Sequence, residues 1–398
     1  MPLKPFAALL AALALFGGLP RATNAADFTD AAGRRMIVPE QIRRALPAGP
    51  SADVLIAVLD PNALIGWSDP HPRDLLPPRL ARLPVTGHFS GPVPTAGPET
   101  ILRLHPDAVI DAGPVTPDRI AFADRIQAQT GIPYLLVDDT IERIPAMLRA
   151  MGPLFGQADR GQDLSRYSRH AVETLHGRLL IRSVNQRPRV YFGRGPDGLL
   201  AVLPDSPGGE AIDQAGAINV AGVLGRGTEL PTSPVQLLTW NPDVIIATDR
   251  HFYDSLLHSP SWRSLIAVQD KRVFLAPDDP FGWISDPPGV NRLVGLYWLS
   301  GLLYPTDVQD DVRATARDLY EKLYRIKLTD AQLERLVARA GVPKSDALRT
   351  PLGGLGILEN PGALPTPVPG TIPGGLPGAT PGLGPPGRRG GAASPESR

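Results

Sequence analysis

The chain contains no cysteine, has no net charge and, beyond its first residues, has no long hydrophobic run. Without cysteine it cannot be cross-linked by disulfides or lipidated on a cysteine. Its 40 basic and 40 acidic side chains balance, so no overall positive field favours nucleic acid or an anionic membrane as a partner. Beyond the N-terminus, no apolar stretch approaches the roughly 20 residues that a membrane helix needs. These absences argue against a disulfide scaffold, a lipoprotein, a membrane protein and a nucleic-acid-binding protein.

The N-terminus has the pattern of a signal peptide. Lys4 provides the positive start, residues 6–19 are apolar, and residues 23–25 form a small-residue cleavage site. The apolar stretch is too short to span a bilayer comfortably, which argues against a retained anchor. We therefore expect residues 1–25 to be a signal peptide and the mature protein to be soluble in the periplasm.

The other end of the chain, residues 343–398, is rich in Pro and Gly. Such a segment buries too little apolar surface to offset the entropy lost on ordering. We expect a disordered tail, and the alternative is a tether that binds the cell wall or a partner.

One pattern occurs twice, at residues 98–110 and 234–246. Each copy contains a short helical turn closed by Pro-Asp and then a run rich in β-branched residues. Pro106 and Pro242 cannot continue a helix, and the apolar run that follows is typical of a buried strand. An α/β unit used twice predicts two similar lobes, and a cleft between lobes is a natural site for a small molecule.

The order of predicted elements supports an α/β fold with two lobes. Strands that alternate with helices imply mainly parallel sheets flanked by helices. We expect the lobes to be residues 26–157 and 185–342, with residues 63–67 forming one of the strands. Residues 158–184 carry an apolar stripe at helical spacing and are expected to form one long helix that bridges the lobes.

These features together resemble a known family. The exported start, the opening at residues 28–34, the two Pro-Asp patterns and the bridging helix resemble the periplasmic binding proteins of ABC importers for iron–siderophore, haem and cobalamin complexes. Residues 280–293, which include Phe281-Gly282-Trp283, resemble a branch in which some members are associated with iron chelates and others with molybdate or tungstate. The resemblance covers about residues 27–341. It implies a monomer without a cofactor that binds a small ligand between its lobes and docks on a membrane permease.

The first candidates for ligand binding are Arg194 and Gly195, in a Gly-rich loop after a predicted strand. The planar guanidinium suits carboxylate, catecholate or oxyanion groups, and the alternative is an ordinary exposed arginine. The surrounding residues 193–198 match G-x-G-x-x-G. We do not interpret this match as a nucleotide site, because an apolar strand follows and Asp197-Gly198 is a hairpin signal.

Aromatic residues near strand ends are candidates for the walls of a site for a bulky chelate. These are Trp67, Phe89, Phe281 and Trp283, with Gly282 between the last two. The alternative is that the rings belong to the core. Gly49, which precedes a helix, is a candidate for offering backbone amides to an anion, and the alternative there is a tight turn.

The seven histidines do not form a metal-binding pattern. His71, His88, His251 and His258 are scattered, although His88 and His251 are candidates for converging across the cleft. The chain has no G-x-S-x-G motif, no P-loop and no cysteine nucleophile, so we do not expect an enzyme.

The family resemblance also implies that a glutamate on each lobe pairs with arginines of the permease. Glu99 stands in the first copy of the repeat, where the second copy has Val235. Either Glu229 or Gln236 substitutes, or docking is weaker or asymmetric. The alternative for Glu99 is a favourable interaction with the dipole of its own helix.

The expected function is that of a periplasmic receptor that captures a metal chelate, similar to an iron–siderophore complex, and delivers it to an ABC permease. The first alternative is a molybdate or tungstate binder of the same family. Two further alternatives are a periplasmic enzyme on the same scaffold and an interaction protein tethered by its tail. The sequence leaves open whether metal is bound directly or within a chelator.

Overall fold

The structure is a computed structural model, which describes residues 25–72, 74–90, 93–179, 186–305 and 312–342. Residues 1–24 of the predicted signal peptide and the whole predicted tail lie outside this part. Within it, no helix has the length and apolar character needed to cross a membrane.

The N-terminal half contains a hairpin and a small sheet. Strands β1 (Ala25–Thr29) and β2 (Arg35–Pro39) pair in antiparallel orientation. Strands β3 (Ala45–Pro47), β4 (Ala108–Ala112) and β5 (Tyr134–Val137) form a parallel three-stranded sheet in that order. Nearly every residue of these three strands is buried, as expected for a parallel sheet covered on both faces.

Five helices flank these strands: α1 (Pro50–Leu59), α2 (Pro78–Ala81), α3 (Pro98–Leu104), α4 (Pro117–Thr130) and α5 (Ile144–Leu154), the last preceded by a 3₁₀ turn at Ile141–Arg143. The first four begin at a proline. Proline is suited to this position because its missing N–H would have no partner within the helix there.

The prediction of a strand at residues 63–67 is wrong. Leu64 forms an isolated bridge with Ala45, and Trp67 forms another with Val85. The segment thus contacts two different partners within four residues, and neither pairing continues far enough to build a ladder.

Helix α6 (Ala158–Leu179) follows the N-terminal sheet, and the end of the predicted bridging helix, residues 180–184, lies outside the described part. The helix packs closely on α5, where Gly161 and Gly152 meet: a Cβ on Gly161 would lie 2.6 Å from the Leu148 carbonyl oxygen. On the other side, the Tyr297 hydroxyl donates to the Ala171 carbonyl at 3.3 Å. Helix α6 therefore contacts elements that precede and follow it, whereas the lobe boundaries stay a prediction.

A second, six-stranded sheet forms the C-terminal half, from β6 (Arg189–Arg194), β7 (Leu200–Val202), β8 (Ile218–Asn219), β9 (Glu229–Pro231), β10 (Val244–Ala247) and β11 (Val273–Leu275). The order is β11-β10-β6-β7-β9, with β8 also paired to β6. Strands β8, β10 and β11 run parallel to β6, and β7 returns antiparallel as the hairpin signal predicts. The mixed α/β class with sheets flanked by helices is confirmed.

The helices of this half are α7 (Pro207–Gln214), α8 (Pro234–Trp240), α9 (Arg250–His258), α10 (Ile266–Gln269), α11 (Arg292–Leu303), α12 (Val312–Leu319) and α13 (Asp330–Val337); 3₁₀ turns lie at Val220–Leu224 and Pro260–Trp262, and a π-helical turn at Tyr320–Tyr324. Helix α11 is buried on nearly all sides and also packs on α6.

Candidate functional site

A cavity of about 400 Å³ lies between loops of the two halves. Strands β6, β10 and β11 are parallel, so their carboxyl ends meet at one edge of the sheet, where open α/β sheets place ligands. The N-terminal half contributes Pro50 and residues 69–72; the C-terminal half contributes Arg194, Gly195, Thr248, Asp249, residues 276–278 and residues 282–288.

Arg194 borders this cavity, as expected, but its guanidinium is already engaged. One nitrogen donates to Glu229 and the other to Asp286 Oδ1 at 2.6 Å. Burial raises the pKa of Asp286, and the nearby Arg194 opposes this rise. An anionic ligand must therefore compete with two carboxylates for Arg194. Since Glu229 is taken up in this pair, the contact argues against Glu229 as a docking residue.

Carboxylates outnumber the other charged side chains of the cavity lining. Asp69, Asp249 and Asp278 border it together with Asp286, and Arg194 is the single arginine or lysine among the described lining residues. Burial raises the pKa of Asp278. The surplus of negative charge favours a ligand that presents positive charge or hydrogen-bond donors.

The predicted aromatic walls are not present at the cavity. Trp67, Phe89 and Phe281 are each 1% exposed and do not border it. The Trp67 indole donates to the Leu80 carbonyl at 2.9 Å, and Phe89 packs in the core cluster around β4. These rings are in the core because removing a large apolar side chain from water stabilises the fold.

Trp283 and Gly282 do border the cavity, although the Trp283 ring is fully buried. The indole donates to the Tyr320 hydroxyl at 2.9 Å. Gly282 N–H donates to the Asp286 carbonyl at 2.8 Å, and a Cβ on Gly282 would lie 2.3 Å from that same oxygen. The two residues therefore shape the loop from within, and they do not offer an aromatic face to a ligand.

Gly49 does not border the cavity, whereas its neighbour Pro50 does. Gly49 caps α1 in an extended conformation, and a Cβ there would lie 3.1 Å from the Ser90 hydroxyl. The Ser51 hydroxyl donates to Asp139, a contact from α1 to the loop after β5. The position therefore has the features of a tight turn into the helix.

The two histidines expected to converge do not. His88 is held by Asp69 through Nδ1 at 3.0 Å and by the Val93 carbonyl through Nε2 at 2.8 Å. The His251 side chain is 87% exposed on α9. Neither residue borders the cavity.

His71 is the histidine that borders the cavity. Its Nε2 lies 2.9 Å from Asp53 Oδ2, and its side chain is only 5% exposed. Asp53, fully buried on α1, also accepts from the Ser68 N–H and hydroxyl. Burial raises the pKa of Asp53, and the contacts with His71 and Ser68 oppose that rise. The feature of the sequence that could have revealed this pair is an acidic residue, Asp53, within the mostly apolar helix α1.

The described residues contain no group of three or more His, Asp or Glu side chains arranged to hold a metal ion.

An ion pair of the C-terminal half is hydrogen-bonded to the N-terminal half. The Arg292 side chain, 1% exposed at the start of α11, lies 2.5 Å from Glu210 Oε2 and also donates to the Asp139 carbonyl. Glu210 Oε1 in turn accepts from the Ile141 N–H at 2.7 Å. Separating the halves here would leave the Arg292–Glu210 pair intact but would break its hydrogen bonds to the Asp139 carbonyl and the Ile141 N–H.

Comparison with known proteins identifies related solute-binding proteins. The family model described as "Periplasmic binding protein" matches residues 74–280. The molybdate-binding protein MolA of Haemophilus influenzae is 26% identical over 324 residues, which cover 75% of this chain and 90% of that protein.

Solved structures share the fold. An ABC transporter solute binding protein from Sulfurospirillum deleyianum superposes with a TM-score of 0.71 at 25% identity, covering 78% of this chain and 99% of that one. Haemophilus influenzae MolA bound to molybdate gives a TM-score of 0.64 at 23% identity, covering 76% of this chain and 99% of that one.

Proposed function

The chain belongs to the periplasmic binding protein family, and we propose that it is an exported, monomeric receptor that captures a metal chelate and delivers it to an ABC transporter permease. The observation that carries this proposal is the cavity of about 400 Å³ between the two halves. Its volume falls within the roughly 300–1,000 Å³ typical of small-molecule sites. A bare tetrahedral oxyanion would fill only a small part of it.

The charge of the cavity supports a metal chelate that presents positive charge or hydrogen-bond donors. Four aspartates border it, against Arg194, whose charge is shared by Asp286 and Glu229. Because the described residues offer no cluster of three ligands for a bare ion, the metal would arrive inside a chelator.

A second candidate is an oxyanion such as molybdate or tungstate. The similarity to MolA over 75% of the chain favours it, and Arg194 is the side chain suited to bind it. Such a dianion would have to displace carboxylates from Arg194 and lie among the aspartates, which argues for the chelate.

A thermal-unfolding screen of the purified protein tests the proposal with ferric siderophores, haem, cobalamin, molybdate and tungstate. A ligand at 100 times its dissociation constant adds about 2.7 kcal/mol to stability. We expect stabilisation by a metal chelate and none by the oxyanions. Stabilisation by an oxyanion alone would select the second candidate, and none by any probe would contradict the receptor function.

The Asp278→Asn variant distinguishes the two ligand classes, because it should change their binding affinities in opposite directions. Removing this negative charge from the cavity should weaken binding of a chelate that presents positive charge and strengthen binding of an oxyanion. Asp205→Asn is the control, because Asp205 pairs with the exposed Arg226 and does not border the cavity. Equal effects of the two variants would contradict a role for Asp278 at the site.

A further inference from the structure

A second cavity, of about 290 Å³, lies beside helix α13. It is formed by residues 74–75, residues 275–279 and one face of the segment 332–339, and we call it the α13 pocket. Residues 276–278 border both this pocket and the cavity between the two halves. The rest of its lining is its own, so the α13 pocket can take a different ligand.

Three carboxylates form the acidic part of the α13 pocket: Asp74, Asp278 and Asp279. Asp279 Oδ1 is shielded from solvent and has no hydrogen-bond partner in the described part of the chain. Burial, together with the charges of Asp74 and Asp278, raises the pKa of Asp279 to about 6. A group that carries several N–H donors and a positive charge would supply the missing hydrogen bond and reduce the repulsion among the carboxylates.

Two arginines form the basic part of the α13 pocket. Arg335 lies on α13 and Arg339 in the turn that follows it, four residues apart, so that both face the pocket together with Gln332 and Leu336. Like charges at this spacing repel each other. Among the described residues, no carboxylate lies within ion-pair distance of either guanidinium. The two guanidinium groups are therefore available to a carboxylate of a ligand, which their planar geometry suits.

The two charged parts lie near each other without direct contact. The charge of Arg335 opposes the rise in the pKa of Asp279, although the two side chains form no ion pair. A simple cation would leave the arginines without a partner, and a simple anion would leave Asp279 Oδ1 without a donor. The three aspartates are also not arranged to hold a metal ion, as no such group occurs in the described residues.

We propose that the α13 pocket binds a small zwitterion, with its ammonium group on the aspartates and its carboxylate on Arg335 and Arg339. The volume is close to the lower end of the roughly 300–1,000 Å³ typical of ligand sites, which suits a molecule of the size of an amino acid. The inference goes beyond the proposed receptor function, because it assigns a second ligand class to a second site.

Titration calorimetry of the purified protein tests the proposal with glycine, β-alanine and γ-aminobutyrate, in which the distance between ammonium and carboxylate increases. Ethylamine and propionate each present one of the two charges. We expect at least one of the three amino acids to bind at least tenfold more tightly than ethylamine and propionate, because it satisfies both parts of the pocket.

Two variants assign the binding to the pocket. Arg335→Gln and Asp279→Asn should each weaken binding of the amino acid at least tenfold, and neither residue borders the cavity between the halves. Arg335 is exposed, so its variant should fold normally. Arg263→Gln and Asp213→Asn are the matched controls, since both residues are exposed and lie outside the pocket; they should bind like the unmodified protein.

Nuclear Overhauser contacts between the methylene protons of the bound amino acid and the Leu336 methyl groups should appear in the unmodified protein, whether or not the variants fold. The inference is overturned if none of the three amino acids binds, if ethylamine or propionate binds equally well, if Arg335→Gln leaves the affinity unchanged, or if the Leu336 contacts are absent. Each of these results leaves the receptor function untouched, because the separate ligand screen tests the other cavity.

Discussion

Helix α3 with strand β4, and helix α8 with strand β10, are two copies of one local structure in different surroundings. Each helix begins at a proline and ends at a residue in the left-handed region, His105 at φ 46° and Asn241 at φ 41°. In the first copy the strand lies at the centre of three strands, and in the second it lies between β11 and β6 of the larger sheet.

The aspartate of each Pro-Asp pattern connects its copy to the neighbouring strand. Asp107 and Arg44 exchange two hydrogen bonds: each backbone N–H donates to the other residue, at 2.8 Å in both cases. Asp243 and Arg189 do the same, at 2.7 and 2.8 Å. The repeated motif is therefore structural, because it fixes the start of β3 and of β6.

The copies differ in what they present to solvent. Glu99 is exposed in the first turn of α3, whereas Val235 occupies the same place in α8 and is 72% exposed. The two copies therefore share a backbone structure but differ in their exposed side chains.

The largest expected effect comes from removing the aspartates. Asp107 also accepts from the Arg43 N–H at 2.7 Å, so Asp107→Ala should lower the free energy of unfolding by about 2 kcal/mol and Asp243→Ala by about 1 kcal/mol. Urea unfolding measures both, with Asp213→Ala, an exposed aspartate on α7, as the control. Losses no larger than that of the control would refute the structural role of the motif.

Substitutions at the exposed positions of the two copies should have different effects on delivery to the permease. We expect Glu99→Gln to slow delivery to the permease by about tenfold, equivalent to 1.4 kcal/mol, with ligand affinity unchanged. Val235→Glu should leave delivery unchanged or improve it, because it restores the missing charge. Uptake by proteoliposomes that contain the permease measures this, with Glu173→Gln on α6 as the control. Unchanged uptake with Glu99→Gln would rule out docking through this residue.

The smallest effect concerns the ends of the two helices. His105→Gly should stabilise the protein by about 0.5 kcal/mol, because glycine adopts the left-handed conformation without strain. Asn241→Gly should give no gain, since it also loses the hydrogen bond from the Ile266 N–H to Asn241 Oδ1 at 2.8 Å. The midpoints of urea unfolding measure the stability of both variants. Equal gains in stability would show that the asparagine side chain contributes nothing.

The local units of the fold were predictable where short-range chemistry dominates. Pro98 and Pro234 mark helix starts, and Asp197-Gly198 marks the hairpin between β6 and β7. The family resemblance is confirmed by the family match. Residues 63–67 were mispredicted because an apolar run does not reveal whether its partners continue alongside it.

The sequence by itself determined the α/β units, their repetition and the family, since periodicity, proline positions and turn residues act over a few neighbours. Only the tertiary structure decided which side chains meet at the cavity. It placed Trp67 and Phe281 in the core and directed Arg194 to two carboxylates. It also brought His71 against Asp53, 18 residues away along the chain. Such contacts depend on how separate elements pack, and local sequence patterns do not encode the distance between them.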